Sequence, residues 1–321
     1  MDVLPALAPI AVGVALVLYF AGRLVDAARG TARALGVSSF FVAVVFIGFD
    51  PENLGVGAAG SYEGVAGIAL GSIIGAAMVA IVLALGITVL LAPLEFEEAP
   101  KRILALPVLA VLLFGLVALD GRISRPDGAV LLAGHAIAVT MIVFLDRRGD
   151  AIVGSARETP ETDERADGWK ALGLLALSLA GIAGGSALIV GGSETIIEWL
   201  GITDTFYGMT ILALVISVEE VAREAPAALR GHPEISLGNV IGSALAFFLM
   251  NAGIIALVRP IPVDIAVLRF HLPMALATTA FVAGMVAATR RLPRWAGLVL
   301  VFAYAAFVAG SYFVGEPEAV R

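Results

Sequence analysis

Ten apolar runs, each near the roughly 20 residues that a helix needs to cross a bilayer, make up most of this chain of 321 residues and leave few folds open to it. They cover Leu4–Leu24, Val37–Ser61, Val65–Leu91, Ile103–Leu119 and Gly128–Leu145, then Ala171–Ile189, Phe206–Ala228, Ile235–Val258, Ile265–Ala288 and Trp295–Val314. In hydrocarbon every backbone N–H and C=O must be satisfied inside the protein, which leaves helices or closed strand barrels. A barrel needs alternating segments of about ten residues, and these runs do not alternate. With 60% hydrophobic and 15% charged residues, the chain reads as an all-α membrane protein of ten transmembrane helices.

The first run lacks a basic leader and an A-x-A cleavage pattern before Arg23, so it reads as a retained helix rather than a secretory signal. Cysteine is absent, which excludes disulfides, thiolate metal sites and cysteine nucleophiles. The formal charge of -7 sits in loops and tails and reads as a solvated acidic surface. The expected partners are therefore the lipid bilayer and inorganic cations, with no nucleic acid.

Basic residues orient the spans. Fifteen of the 20 Lys and Arg residues fall on one side, and five (Arg122, Arg125, Arg259, Arg269 and Arg321) fall on the other. The positive-inside bias places both termini outside and the polar stretch 146–170 in the cytoplasm, in a multi-pass protein of the cell membrane. That stretch reads as a linker between a first five-helix unit, residues 1–145, and a second, residues 171–321.

The two units contain similar stretches. Phe46 to Ala76 carries DPEN and then LGSIIG; Ala213 to Ala244 carries VEEV and then LGNVIG. Each sets a carboxylate about twenty residues before a small-residue helix start. An odd number of helices per unit makes the second enter the membrane from the opposite side, so the units form inverted repeats. Such folds bind substrate and coupling ions near the midplane, where interrupted helices meet.

The second run should break at Asp50, Pro51, Glu52 and Asn53, because proline removes a backbone donor and frees a carbonyl about a turn earlier. A weaker break is expected in the seventh run around Ser217, Glu219 and Glu220. Gly71 and Gly75, like Gly238 and Gly242, are four residues apart, a spacing that lets helix backbones touch. Ser72 and Asn239 occupy matching places in the two repeats, and each carries an oxygen. From Glu52 the chain climbs about ten residues, turns near Tyr62 to Gly64 and descends about eight to Ser72, so the two return to similar depth. Intramembrane carboxylates mark function. Two of them in a low-dielectric site repel unless one binds a proton or a cation neutralises both. Calcium accepts a variable shell of carboxylate, carbonyl and amide oxygens; two sodium ions or two protons balance the same charge.

These residues resemble the calcium/cation antiporter superfamily of the sodium/calcium exchanger type, with a motif near G-T-S-x-P-E on the second helix of each repeat and G-N-x-x-G-S on the third. LGNVIGS is the best single match. The resemblance implies that Glu52 and Glu220 are paired ion ligands, with Asn239 and Ser72 at the amide position and Ser217 at the motif serine. Phe49, Glu219 and Ser72 depart from the motifs. A gap-free slide that lays Gly71 on Gly238 pairs Glu52 with Glu219, whereas the motif favours Glu220, so both remain candidates. Asp50 joins them if the Pro51 kink turns its side chain back. Arg223 is placed to pair with Glu219 one turn away.

Other polar residues take quieter roles: His135 as a packed histidine, His232 and His271 facing solvent at loop ends, Glu194 and Glu198 at the outer interface, and Asn251 in a polar contact between helices. An intramembrane protease of the prenyl-protease type is disfavoured, because Arg223 comes one residue too early for E-E-x-x-x-R and no later span carries a histidine in its middle. No enzyme activity and no cofactor are implied. The function expected is a secondary antiporter exporting Ca2+ in exchange for Na+, with Ca2+/H+ exchange as the alternative.

Overall fold

The computed structural model describes residues 4–34, 49–97, 99–146, 168–217 and 219–315. Its helices are α1 (Leu4–Ala34), α2 (Pro51–Glu63), α3 (Ala66–Leu91), α4 (Lys101–Val117), α5 (Arg125–Asp146), α6 (Gly168–Leu200), α7 (204–217), α8 (Glu219–Leu229), α9 (Pro233–Val258), α10 (Val267–Thr289) and α11 (Arg294–Gly315). Among the described residues eight stretches are long and apolar enough to cross a membrane, with α7 and α8 counted as one. The 13 residues of α2 and the 17 of α4 are shorter. α2 belongs to the run expected at Val37–Ser61, of which residues 37–48 lie outside the described residues, as do residues 147–167 of the expected linker.

Two helices run past the hydropathy pattern. α1 continues to Ala34 rather than stopping at Leu24, and α6 runs from Gly168 to Leu200 rather than from Ala171 to Ile189. Hydropathy marks the part of a helix matched to lipid, whereas backbone hydrogen bonding continues through Ala- and Arg-rich sequence such as residues 25–34. The two long helices lie against each other, and a Cβ built on Gly13 would meet the Gly185 carbonyl oxygen at 2.5 Å.

α3 and α9 form the centre. Their membrane-crossing windows are 83% and 89% buried, against 22–39% for α1, α5, α6, α10 and α11. The peripheral helices instead expose large apolar side chains such as Ile137, Leu177 and Phe302, as a lipid-facing ring requires. Helices α3 and α7 touch through their backbones. A Cβ on Gly71 would lie 2.3 Å from the Gly208 carbonyl, and one on Gly208 would lie 2.1 Å from Gly67 O. The packing expected of Gly71 is therefore met by α7.

At the end of α2, Gly64 takes a left-handed conformation (φ 89°) and donates its N–H to Gly60 O and Ser61 O. This is the turn expected near Tyr62 to Gly64. The chain also contains short strands that an all-α reading does not provide for. β1 (Leu94–Glu95) pairs antiparallel with β4 (Arg291–Leu292), and β2 (Arg122–Ile123) with β3 (Ile261–Pro262). Each pair joins a loop of the first half to a loop of the second, with Leu94, Ile123, Ile261 and Leu292 buried. Helices α3 and α9 also contain matching π-helical stretches: the slide that lays Gly71 on Gly238 lays Val79–Ala84 on Ala246–Asn251.

Candidate ion-binding site

Proline at position 51 starts the site. A residue before proline is pushed to extended backbone, and proline itself suits the first helical position. Asp50 is extended (φ -124°, ψ 91°) and caps α2, its Oδ1 accepting the Asn53 N–H at 2.9 Å. A helix therefore starts at Pro51, where the break is expected, while the part of the second run before residue 49 lies outside the described residues; Asp50 is buried, with only 1% of the residue exposed.

Asn53 extends this cap. Its Nδ2 donates to Asp50 Oδ2 at 2.8 Å and to Ser217 Oγ at 3.0 Å. Ser217 is the last residue of α7 and is fully buried, and α8 begins two residues later at Glu219. Through this link α2 and the α7–α8 junction meet. Carboxylate oxygens of Asp50, Glu52 and Glu219 all lie within 4.8 Å of one another. Asp50 and Glu52 are buried, and Glu219 is partly so.

A second polar group sits beside the first. Glu220 and Glu224 are fully buried and share the Asn239 amide, which donates to Glu220 Oε2 at 2.9 Å and to Glu224 Oε1 at 3.4 Å. Ser236 Oγ donates to the Glu224 carbonyl at 2.8 Å. Helix α8 thus divides its acids: Glu219 faces Asp50 and Glu52 on α2, while Glu220 and Glu224 face α9.

Of the seven candidate ligands, then, Asp50, Glu52 and Glu219 meet as carboxylates, with Ser217 tied to Asp50 through Asn53. Glu220 and Asn239 pair with each other. Ser72 is buried, donates to Ala69 O at 2.9 Å and lies against Gly57. The expected pairing of Arg223 with Glu219 involves a side chain outside the described residues. Asn53 was not singled out as a site residue, although its place three residues after an Asp-Pro start is a helix-capping signal. Glu224, fully buried on the Asn239 amide, is a member of the second group.

The histidines correct one expectation. His232 is exposed, as expected. His271 does not face solvent: it is fully buried, with Nε2 3.1 Å from Ser311 Oγ and Nδ1 3.3 Å from Ala266 O. It packs edge-on against Phe270 and Phe307, so its position near a predicted end of a span did not bring it to water. His135 is buried on α5.

Three carboxylates at this separation repel by about 3–4 kcal/mol per ionised pair at an effective dielectric near 20. They persist together only with protons or cations among them. The donors are all hard oxygens, a set suited to calcium, magnesium or sodium and unsuited to metals that select nitrogen or sulfur.

The chain matches the family model described as sodium/calcium exchanger protein over residues 6–144 and 170–313. A putative antiporter, CaxA, of Alkalimonas amylolytica is 29% identical over 304 residues, which are 91% of this chain and 94% of that protein. The sodium/calcium exchanger MaX1 of Methanosarcina acetivorans is 25% identical over 327 residues, 90% of this chain and 93% of that one. A solved structure of the sodium-calcium exchanger NCX_Mj has a TM-score of 0.60 to this chain at 25% identity, covering 96% of this chain and 99% of that one.

Proposed function

This chain belongs to the sodium/calcium exchanger family, and from that membership we propose that it is a secondary cation antiporter that exports Ca2+ in exchange for Na+ at the Asp50, Glu52 and Glu219 cluster. The convergence of those three carboxylates within 4.8 Å, from the two halves of the chain, carries the reading. A divalent ion neutralises two of the charges at once, and sodium ions replace it charge for charge. Glu220, held by Asn239, with Ser72 and Ser217 completes the oxygen set that the family resemblance implies.

The mechanism is alternating access. The acids bind an ion from one side, and neutralisation lets the surrounding helices close, since an empty, multiply charged site is poorly tolerated away from water. The same site then opens to the other side. Coupling follows because only the loaded forms pass through the closed state.

The proposed architecture is ten transmembrane helices in two inverted five-helix repeats, residues 1–145 and 171–321, joined by a cytoplasmic linker at 146–170, with both termini outside. The reciprocal pairing of β1 with β4 and β2 with β3 supports this symmetry, as do the matched π-helical stretches in α3 and α9. Proton coupling is the alternative, since clustered carboxylates also hold protons.

The test is uptake of Ca2+ into vesicles containing the purified protein, driven by a sodium gradient in one series and a pH gradient in another. Uptake that follows the sodium gradient is expected. Uptake driven by the pH gradient alone replaces sodium with protons, and uptake that needs neither counter-ion ends the antiporter reading.

A further inference from the structure

Helices α3, α4, α9 and α10 leave a groove of about 280 Å³ between them. Leu104 and Pro107 of α4, Ile241 and Ala244 of α9, and Val282 and Ala283 of α10 wall it, with Ile81 of α3 behind; Thr279 is its one polar side chain. Every lining residue except Ala283 is buried, so the groove opens beside Ala283 toward the lipid. It lies within one leaflet. The pairing of β1 with β4 and of β2 with β3 puts the end of α3, the start of α4, the start of α9 and the end of α10 on one side. At 1.5 Å per residue Leu104 is about 5 Å from the start of α4, and Ile81 and Ala244 are about 15–17 Å from the matching ends of α3 and α9. The hydrocarbon of one leaflet is about 15 Å deep.

The rim at that side is basic. Lys101 is exposed and precedes Leu104 by three residues, which sets it above the groove on the same face of α4. Arg290 follows Val282 and Val286 in steps of four at the end of α10, and its Nη1 donates to Glu97 O at 3.1 Å, in the loop that leads into Lys101. Most of its five N–H donors remain for another acceptor. The acids of this end are engaged elsewhere: Glu95 lies 3.5 Å from Arg291, and Glu234 lies 3.2 Å from His232. Among the described residues no carboxylate is ion-paired with Lys101 or Arg290.

We infer that the groove binds one acyl chain of a membrane phospholipid, whose phosphate rests on Lys101 and Arg290. An apolar void takes up no water, and left empty it forfeits dispersion contacts along its walls. A water fills about 30 Å³ of liquid and a methylene is of similar size, so the groove has room for roughly nine such groups, a run of chain rather than a single small molecule. Lipid tails are as apolar as these walls, so burial alone gives no preference. Preference comes from the fit of the chain and from charge-assisted bonds to the phosphate oxygens. The bound chain lies on the face of α9 turned away from Asn239, and so braces the back of the helix whose amide holds Glu220. The inference is independent of which ions are exchanged.

The experiment titrates the full chain, delipidated in detergent, with dioleoylphosphatidylglycerol and with dioleoylglycerol, which has the same chains and no phosphate, and counts bound lipid by native mass spectrometry. One phospholipid per chain is expected to bind, with dioleoylglycerol weaker by about tenfold or more, as loss of a bond between charged groups predicts. Lys101→Gln combined with Arg290→Gln should weaken the phospholipid by a similar factor and leave dioleoylglycerol unchanged. Ala283→Phe, which fills the mouth of the groove, should abolish binding of both, whereas Ile137→Phe, on the lipid-exposed surface of α5, should not. Unfolding midpoints in lipid-free detergent report whether each variant is folded, and Ala283→Leu replaces Ala283→Phe if the larger ring prevents folding. Binding that survives the filled groove overturns the site, and so does an equal loss in Ile137→Phe, which would mark a non-specific lipid shell. Equal affinity for the two lipids removes the phosphate contact and with it the inference.

Discussion

Asn53, in the first turn of α2, donates its side-chain amide to the hydroxyl of Ser217, the last residue of α7, across 3.0 Å. The same amide holds Asp50 Oδ2, so one buried side chain fixes both a helix cap and the junction from which Glu219 emerges. Replacing Asn53 by Leu leaves Asp50 and Ser217 with lost partners, and the expected loss of stability is about 1–3 kcal/mol. Ser217→Ala should cost less, because Asn53 keeps its bond to Asp50. Unfolding midpoints of the purified variants in detergent check the order.

Replacing Glu52 or Glu219 by Gln keeps side-chain volume and removes a charge from the carboxylate cluster. Each is expected to reduce Ca2+ exchange by more than about tenfold, with the protein still folded, as loss of a charged ligand predicts. Glu220→Gln should cost less than Glu219→Gln, since Glu220 faces Asn239. The reverse order, measured as initial rates of Ca2+ uptake, would move the second-repeat ligand from Glu219 to Glu220.

Chelating calcium should lower the unfolding midpoint of the unaltered protein. A ligand at about 100 times its Kd stabilises the folded state by about 2.7 kcal/mol. Glu52→Gln should shrink the difference between calcium-loaded and chelated samples. An undiminished difference in that variant would place the calcium elsewhere.

At the crossing of α3 and α7, Gly208→Ala would set a methyl group 2.1 Å from Gly67 O, a backbone atom that cannot rotate aside. Overpacking of this kind costs about 1–3 kcal/mol or more. The variant should show a lower yield of monodisperse protein and a lower unfolding midpoint than Gly284→Ala, where the added Cβ meets open space.

Much of this arrangement was legible before any coordinates. The Asp-Pro pair announced a broken helix, and Asp50 does cap a helix that starts at Pro51. Gly71 announced a close approach, and it lies on Gly208. His271 was misjudged because distance from the end of a span reports depth and not direction; its ring turns inward to Ser311 and Phe307. Asn251, expected in a polar contact between helices, is buried with neither terminal atom hydrogen-bonded among the described residues.

The amino-acid order alone determined that the chain lives in a bilayer, because runs of apolar residues of this length can satisfy their backbone there only as helices. It also determined that any ion site would be built from oxygen, since no cysteine exists and three histidines are scattered. Which acids meet was decided by tertiary structure. Glu219 and Glu220 are adjacent, and one residue on a helix is a rotation of about 100°, so the packing of α8 against α3 and α9 sends one carboxylate to Asp50 and Glu52 and the other to Asn239. No pattern along a single strand of text records that rotation, because it is set by contacts between helices far apart in the chain.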